Sequence, residues 1–352
     1  MNFNKIIFLI AVFLTLVPYV GDNDFWLHLE TGEIIVEEGH FPRTDILSFT
    51  SQGKEWINHE WLPQSVFYLL FKYGGFVAVA LLTALAGAVI FALLLQRREF
   101  SWLSAAFLFL IAYNLKPFIV PRPQIFAYLF LLSLILVIDW HHCTKDKRII
   151  FILPTTLFLW ANTHASVVLA LPILFFALLF KKEKKMLLIS SLLGVGLTFL
   201  NPFGFKLYWH ALQPFRFSEA YHFLLETQPI YRFPSSWYLL LTHLAVIFAG
   251  VWHFVKKRFS AVRPYEFIIF FTFIAMPFVA VKYLPFAWAA ALPVVVKIFP
   301  GSKKTALKNT ALIAVIILSA LLFLRDGNLF KDPHYDWPQN LISFMRDNKL
   351  EG

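Results

Sequence analysis

Two short stretches of the chain carry acids, imidazoles and tryptophans at spacings that can do chemistry. GDNDFWLHLETG (21–32) sets Asp22 and Asp24 one residue apart, followed by Trp26 and His28. WINHEWLPQ (56–64) sets His59 and Glu60 between two tryptophans. A carboxylate can deprotonate a hydroxyl or an amine. The Asp-Asn-Asp spacing can also hold a hard divalent ion, such as magnesium or manganese, through oxygen ligands. Asp24 is placed to cap a helix starting at Phe25. His28 then lies one turn on, within reach of Asp24. Phe25, Trp26, Leu29 and Ile34 would face a membrane surface, and Glu30, Glu33 and Glu37 would face water. On spacing alone, a capped interfacial helix with a solvated acidic face is the simpler account. The second stretch reads most simply as an aromatic belt with snorkelling polar groups. The two patches would meet if residues 21–64 fold over a helix bundle.

Other polar groups sit at the ends of apolar runs. Arg122 lies in VPRPQ (120–124), inside a long apolar stretch. A charge at membrane depth costs about 2.5–3.5 kcal/mol on insertion scales, so it is usually paired or functional. Prolines on both sides predict a non-helical turn. The guanidinium fork suits phosphate. WANTHAS (160–166) supplies Asn162 and His164, LLETQPI supplies Glu226, and VKYLP supplies Lys282. NPFG (201–204) is a helix stop with turn chemistry. His164 and Lys282 taken singly read as structural residues. Together these groups make a rim of acids, imidazoles and cations. Moving a group from a lipid phosphate needs such a set: a carboxylate base, a cation for the leaving phosphate, and a greasy groove for the tail.

The elements that would position this rim are membrane helices. The chain has 352 residues, 59% of them hydrophobic and only 15% charged. Soluble domains run near about 45–50% and 25%. Phe occurs 41 times and Trp 11 times, as lipid-facing helices with aromatic belts require. Apolar runs are read as spans at about 6–20, 75–95, 102–120, 124–140, 149–161, 165–180, 186–200, 236–254, 265–281, 285–299 and 307–324. The expected fold is therefore all-α and polytopic, with about 11 spans (9–13). The short neighbours 149–161 and 165–180 read as broken helices lining a cavity. The first run reads as a retained signal anchor. The single cysteine, Cys143, excludes an internal disulfide and a cysteine metal cluster.

Basic residues fall on alternate connections: Arg97 and Arg98; Lys145, Lys147 and Arg148; Lys181, Lys182, Lys184 and Lys185; Lys256, Lys257, Arg258 and Arg263; Lys303, Lys304 and Lys308. By the positive-inside rule these connections, and the N-terminus, are cytoplasmic. The net charge of +10 is thus explained without nucleic acid. The loop 21–64 faces outward and holds nine carboxylates against Arg43 and Lys54. The longer segments 21–64, 201–235 and 325–352 all lie on that outer side, which is where function is expected. The membrane domain covers 1–324, and the tail 325–352 reads as the start of a further outer domain.

At these residues the chain resembles the bacterial GT-C class of integral-membrane glycosyltransferases. It is most similar to a branch that reads D-x-D-x-W-x-H-L-x-x-G, then P-x-x-D-x-x-S-F-T, then W-x-x-H-E-W-L. The matching residues are Asp22, Asp24, Trp26, His28, Leu29 and Gly32; Pro42, Asp45, Ser48, Phe49 and Thr50; and Trp56, His59, Glu60, Trp61 and Leu62. Arg122-Pro123, Trp160-Ala161-Asn162 with His164, and Asn201-Pro202 with Gly204 extend the match over most of the chain. Ala165-Ser166 departs from the Gly-rich residues that follow the Asn-His pair in that branch. The resemblance implies a catalytic acid in the first outer loop, a polyprenyl-phosphate sugar donor, and a glycan, lipid or protein acceptor outside the cytoplasmic membrane. Asp22 or Asp24 would be the base. Arg122, with Lys282, would hold phosphate. His28, His59, Glu60, Asn162, His164 and Glu226 would bind or orient substrate. Three other readings remain open: a transporter or flippase for a lipid-linked glycan, an O-antigen polymerase or ligase, and a non-catalytic scaffold. The absence of a repeat, and of charges at mid-membrane depth, weighs against transport.

Overall fold

The computed structural model describes residues 3–18, 22–96, 102–180, 184–212, 224–232, 237–256 and 263–297. The expected span 307–324, the tail 325–352 and several of the basic residues (Arg97, Arg98, Lys181, Lys182, Lys257, Arg258, Lys303, Lys304 and Lys308) lie outside these residues. Among the described residues the chain is all-helical, with one isolated bridge between Thr44 and Glu55 and no strand. Its helices are α1 (Phe3–Leu16), α2 (Asp24–Glu37), α3 (Trp61–Leu95), α4 (Trp102–Leu115), α5 (Gln124–Thr144), α6 (Ile149–Ala161), α7 (Ala170–Leu179), α8 (Lys185–Leu197), α9 (Lys206–Leu212), α10 (Trp237–Lys256), α11 (Pro264–Ala275) and α12 (Leu284–Val295). Three of them, α3, α5 and α10, are long and apolar enough to cross a membrane. The remaining apolar helices have 10–17 residues, shorter than the roughly 20 a straight crossing takes.

The helices pack around α12, whose residues Leu284–Val295 are all buried. Trp288 lies at its centre and donates to His243 Nδ1 of α10 at 3.2 Å. His243 Nε2 in turn meets the Ile274 carbonyl of α11 at 3.0 Å, so both ring nitrogens are satisfied within the bundle. α3 breaks at Gly75, where φ 62° and ψ −166° is a conformation essentially restricted to glycine. Its second half is the expected span from 75. Its first half, 61–74, is a further helix that carries α2 on its side.

α2 lies across this first half of α3. Phe25 and Leu29 are buried there with Phe67, against Phe71 and Phe76. The apolar face of α2 therefore packs on protein, whereas the sequence put it on a membrane surface. Two further expectations are corrected. The cap position is Asn23, Asp24 is the first helical residue, and no side chain caps the helix. His28 turns to α3, where the Gln64 amide donates to its Nδ1 at 3.2 Å, rather than to Asp24. Gly32 permits this docking. A Cβ there would lie 2.2 Å from the Gln64 carbonyl oxygen.

Connections alternate between two ends of the bundle. The turns α4–α5, α6–α7 and α11–α12 lie at one end, with the start of α2. The basic connections α5–α6, α7–α8 and α10–α11 follow them in alternation along the chain. Of the basic set, Arg263 pairs with Asp139 at 2.8 Å; Lys297, just after α12, pairs with Glu266 at 3.1 Å.

Candidate functional site

The non-helical VPRPQ turn delivers Arg122 to the start of α2. Its Nε and Nη2 grip the two Asp22 oxygens, the latter at 2.6 Å. Its Nη1 faces Asp24 Oδ2 at 3.0 Å and Glu226 Oε2 at 3.6 Å. One guanidinium thus gathers three carboxylates from two segments, the start of α2 and the stretch around Glu226. Burial opposes its charge, but the hydrogen bonds from Asp22 and the fields of Asp22, Asp24 and Glu226 outweigh that and raise its pKa. The two aspartates differ in access. The Asp22 side chain is 9% exposed and also accepts from the Asp24 backbone N–H at 3.3 Å, whereas the Asp24 side chain is 53% exposed.

Next to this hub stands a second cluster built on Glu60. Its Oε1 lies 3.5 Å from His164 Nε2 and 3.7 Å from His59 Nε2, and its Oε2 lies 4.0 Å from His28 Nδ1. His59 comes from the turn before α3, and its Nδ1 lies 3.4 Å from the Ile57 carbonyl. His164 comes from the α6–α7 turn, where its Nδ1 accepts the Ser166 backbone N–H at 3.0 Å. The His210 ring of α9 packs on His59 with centroids 4.7 Å apart. Burial drives His59 down to about 4, pushes His164 well below the usual imidazole value, and lowers His28 despite the nearby Glu60. Burial also raises the Glu60 carboxyl, against the pull of His28 and Arg122. His28, His59 and His164 are therefore neutral near pH 7.

A cavity of about 830 Å³ opens beside both clusters. Asp22, Arg122 and Glu226 line it on one side, and His59, His164 and His210 on another. Lys116, Lys282, Tyr128 and Ser166 add further polar groups. Phe118, Ile119, Val168, Leu169, Met276 and Phe286 supply an apolar wall. The Arg122 guanidinium is surrounded by carboxylates.

The structure thus brings together Asp22, Asp24, Arg122 and Glu226 as one group, and His28, His59, Glu60 and His164 as a second, with Lys282 on the shared cavity. Asn162 stands apart. It is buried, accepts from Trp61 Nε1 at 3.3 Å, and donates to the carbonyls of Phe158 at 2.9 Å and Leu200 at 3.3 Å. Those bonds tie the starts and ends of α3, α6 and α8. Asp45 likewise accepts from Leu47 and Ser48 backbone groups at 3.0 and 2.8 Å, holding a turn rather than lining the cavity. Sequence reasoning missed Lys116, Tyr128 and His210. Lys116, six residues before Arg122 at the end of an apolar run, was a readable signal. His210 lies in an apolar stretch, and only the NPFG turn shortly before it hinted at its position.

As for ion-sized groupings, Asp22 and Asp24 converge on a fixed cation. Among the described residues the ligand-type side chains that close on one another are His59, Glu60 and His164, all within 4.8 Å. No family model, curated protein or solved structure matches this chain, so the site is read from its own residues.

Proposed function

We propose that the chain is a multi-span glycosyltransferase of the GT-C type, moving a sugar from a polyprenyl-phosphate donor to an acceptor at the outer face of the bacterial cytoplasmic membrane. The observation that carries this reading is the cavity itself. One space of about 830 Å³ combines an acid cluster, lysines and an apolar wall, the three requirements of sugar transfer from a lipid phosphate. The alternation of basic connections with the cavity-lining turns supports an outward-facing site and a cytoplasmic N-terminus. About 11 spans follow on this reading, the last being 307–324.

Asp24 is the base: its carboxylate is the more exposed of the pair and stands beside the cavity, 3.0 Å from the Arg122 guanidinium that lines it with Asp22. Asp22 is the counter-ion that fixes Arg122 and, through it, the position of Asp24. The acceptor oxygen forms a bond to the anomeric carbon from the face opposite the phosphate. Its proton passes to Asp24. The carbon–oxygen bond to phosphate breaks, and polyprenyl phosphate leaves with the electron pair, so configuration inverts. Lys282, with Lys116, offsets the leaving charge. Glu226, His28 and the Glu60 cluster orient acceptor and donor around that axis.

The test is transfer of labelled sugar by purified protein in lipid, wild type beside Asp24→Asn and Asp22→Asn. Loss of transfer in Asp24→Asn with normal membrane insertion supports the assignment. Wild-type rates in that variant refute it.

A further inference from the structure

We propose that His59 Nε2, the Glu60 carboxylate and His164 Nε2 bind one transition-metal dication of the zinc class in the wall of the cavity. The donor set is two imidazoles and one carboxylate, which suits zinc better than magnesium. The spacing carries the proposal. Glu60 Oε1 lies 3.5 Å from His164 Nε2 and 3.7 Å from His59 Nε2. Both distances exceed an ordinary hydrogen bond. A tetrahedral ion with bonds of 2.0–2.2 Å separates its ligand atoms by about 3.3–3.6 Å. The two separations from Glu60 therefore stand close to the edges of such a tetrahedron, and all three ligand atoms lie within 4.8 Å of one another.

The outer contacts decide how each ligand takes part. His59 Nδ1 faces the Ile57 carbonyl at 3.4 Å, and that carbonyl can only accept. The ring proton is thus drawn to Nδ1, and the Nε2 lone pair is turned toward Glu60. A histidine ligand held by a backbone carbonyl through its other nitrogen is the usual arrangement at metal sites. His164 differs. The Ser166 N–H donates to its Nδ1, so the proton sits on Nε2. For Nε2 to bind, that proton has to move to Nδ1, which opens the Ser166 contact. His164 is therefore the weakest of the three ligands. His59 and His164 line the cavity, so a fourth position on the ion faces that space and takes an oxygen donor, water or phosphate.

The site stands independently of sugar transfer, and its test needs no donor. Tag-free full-length protein in detergent is stripped with EDTA, loaded with zinc, desalted and assayed by mass spectrometry. Wild type and the surface control His40→Asn are expected to retain one zinc per chain against excess magnesium. Glu60→Gln and His59→Asn are expected to bind more than ~100-fold more weakly, and His164→Asn to lose less. Cobalt loading of the wild type is expected to give the visible bands of a tetrahedral ion, a readout that requires no variant. Retention of less than a tenth of an equivalent by wild type, displacement by magnesium, or wild-type retention by both Glu60→Gln and His59→Asn would overturn the proposal.

Discussion

Asp22 and Arg122 form the tightest polar contact of the site, and their side chains are only 9% and 23% exposed. Removing either partner leaves a poorly hydrated charge, which is more costly than losing the pair as a unit. Asp22→Asn and Arg122→Gln should each lower thermal stability. The double variant should recover part of the loss, with a coupling of about 1–3 kcal/mol in a double-mutant cycle. Additive effects would mean that the pair is not energetically coupled. Asp24 is expected to behave differently: Asp24→Asn should leave stability near wild type while transfer falls by about 10²–10⁴-fold. The charge pattern made part of this group legible. An arginine between prolines in apolar sequence marked a paired or phosphate-holding group, and its partners in the structure are Asp22, Asp24 and Glu226. The ranking of the two aspartates was not legible, because it depends on which oxygens the guanidinium fork covers.

At the scale of elements, two glycines govern how the site is presented. Gly32 lets α2 approach the α3 backbone, since a Cβ there would lie 2.2 Å from the Gln64 carbonyl oxygen. Gly32→Ala should cost about 1–3 kcal/mol and should loosen the His28–Gln64 contact, read as a lower thermal midpoint and faster hydrogen exchange in 24–37. Wild-type exchange there would contradict the docking. Gly75 holds φ 62°, so Gly75→Ala should cost a similar ~1–3 kcal/mol through backbone strain. Helix positions were well legible from apolar runs. The run 149–161 is α6, and 186–200 overlaps α8, because continuous apolar segments have few other ways to satisfy their backbone. The first half of α3 was missed because WLPQSVFYLLFKYG mixes polar and aromatic residues, and its helical state rests on packing with α2. The cap assigned to Asp24 failed because the helix starts one residue earlier, at Asp24 itself, whose carboxylate faces Arg122, 98 positions away in sequence.

At the scale of the whole molecule, and among the described residues, Asp22, Asp24, Glu60 and Glu226 gather at or beside the cavity, and basic connections alternate along the chain with the cavity-lining turns. On the proposed topology a membrane-impermeant thiol reagent applied to intact spheroplasts should label Lys54→Cys in a Cys143→Ser background. It should leave the native Cys143, which is exposed in the last turn of α5, unmodified until the membrane is opened. The reverse pattern would invert the orientation and remove the site from the outer face. What sequence patterning could not supply at this scale is the convergence of His59, His164 and His210, which come from two separated turns and α9. The central claim is that the cavity transfers sugar with Asp24 as base. The most direct measurement is transfer from a panel of radiolabelled polyprenyl-phosphate sugars to native membrane extract, by wild type and Asp24→Asn in lipid. The account predicts acceptor labelling by wild type from one donor and a loss of at least about 100-fold in Asp24→Asn. Equal labelling by the two proteins would contradict it.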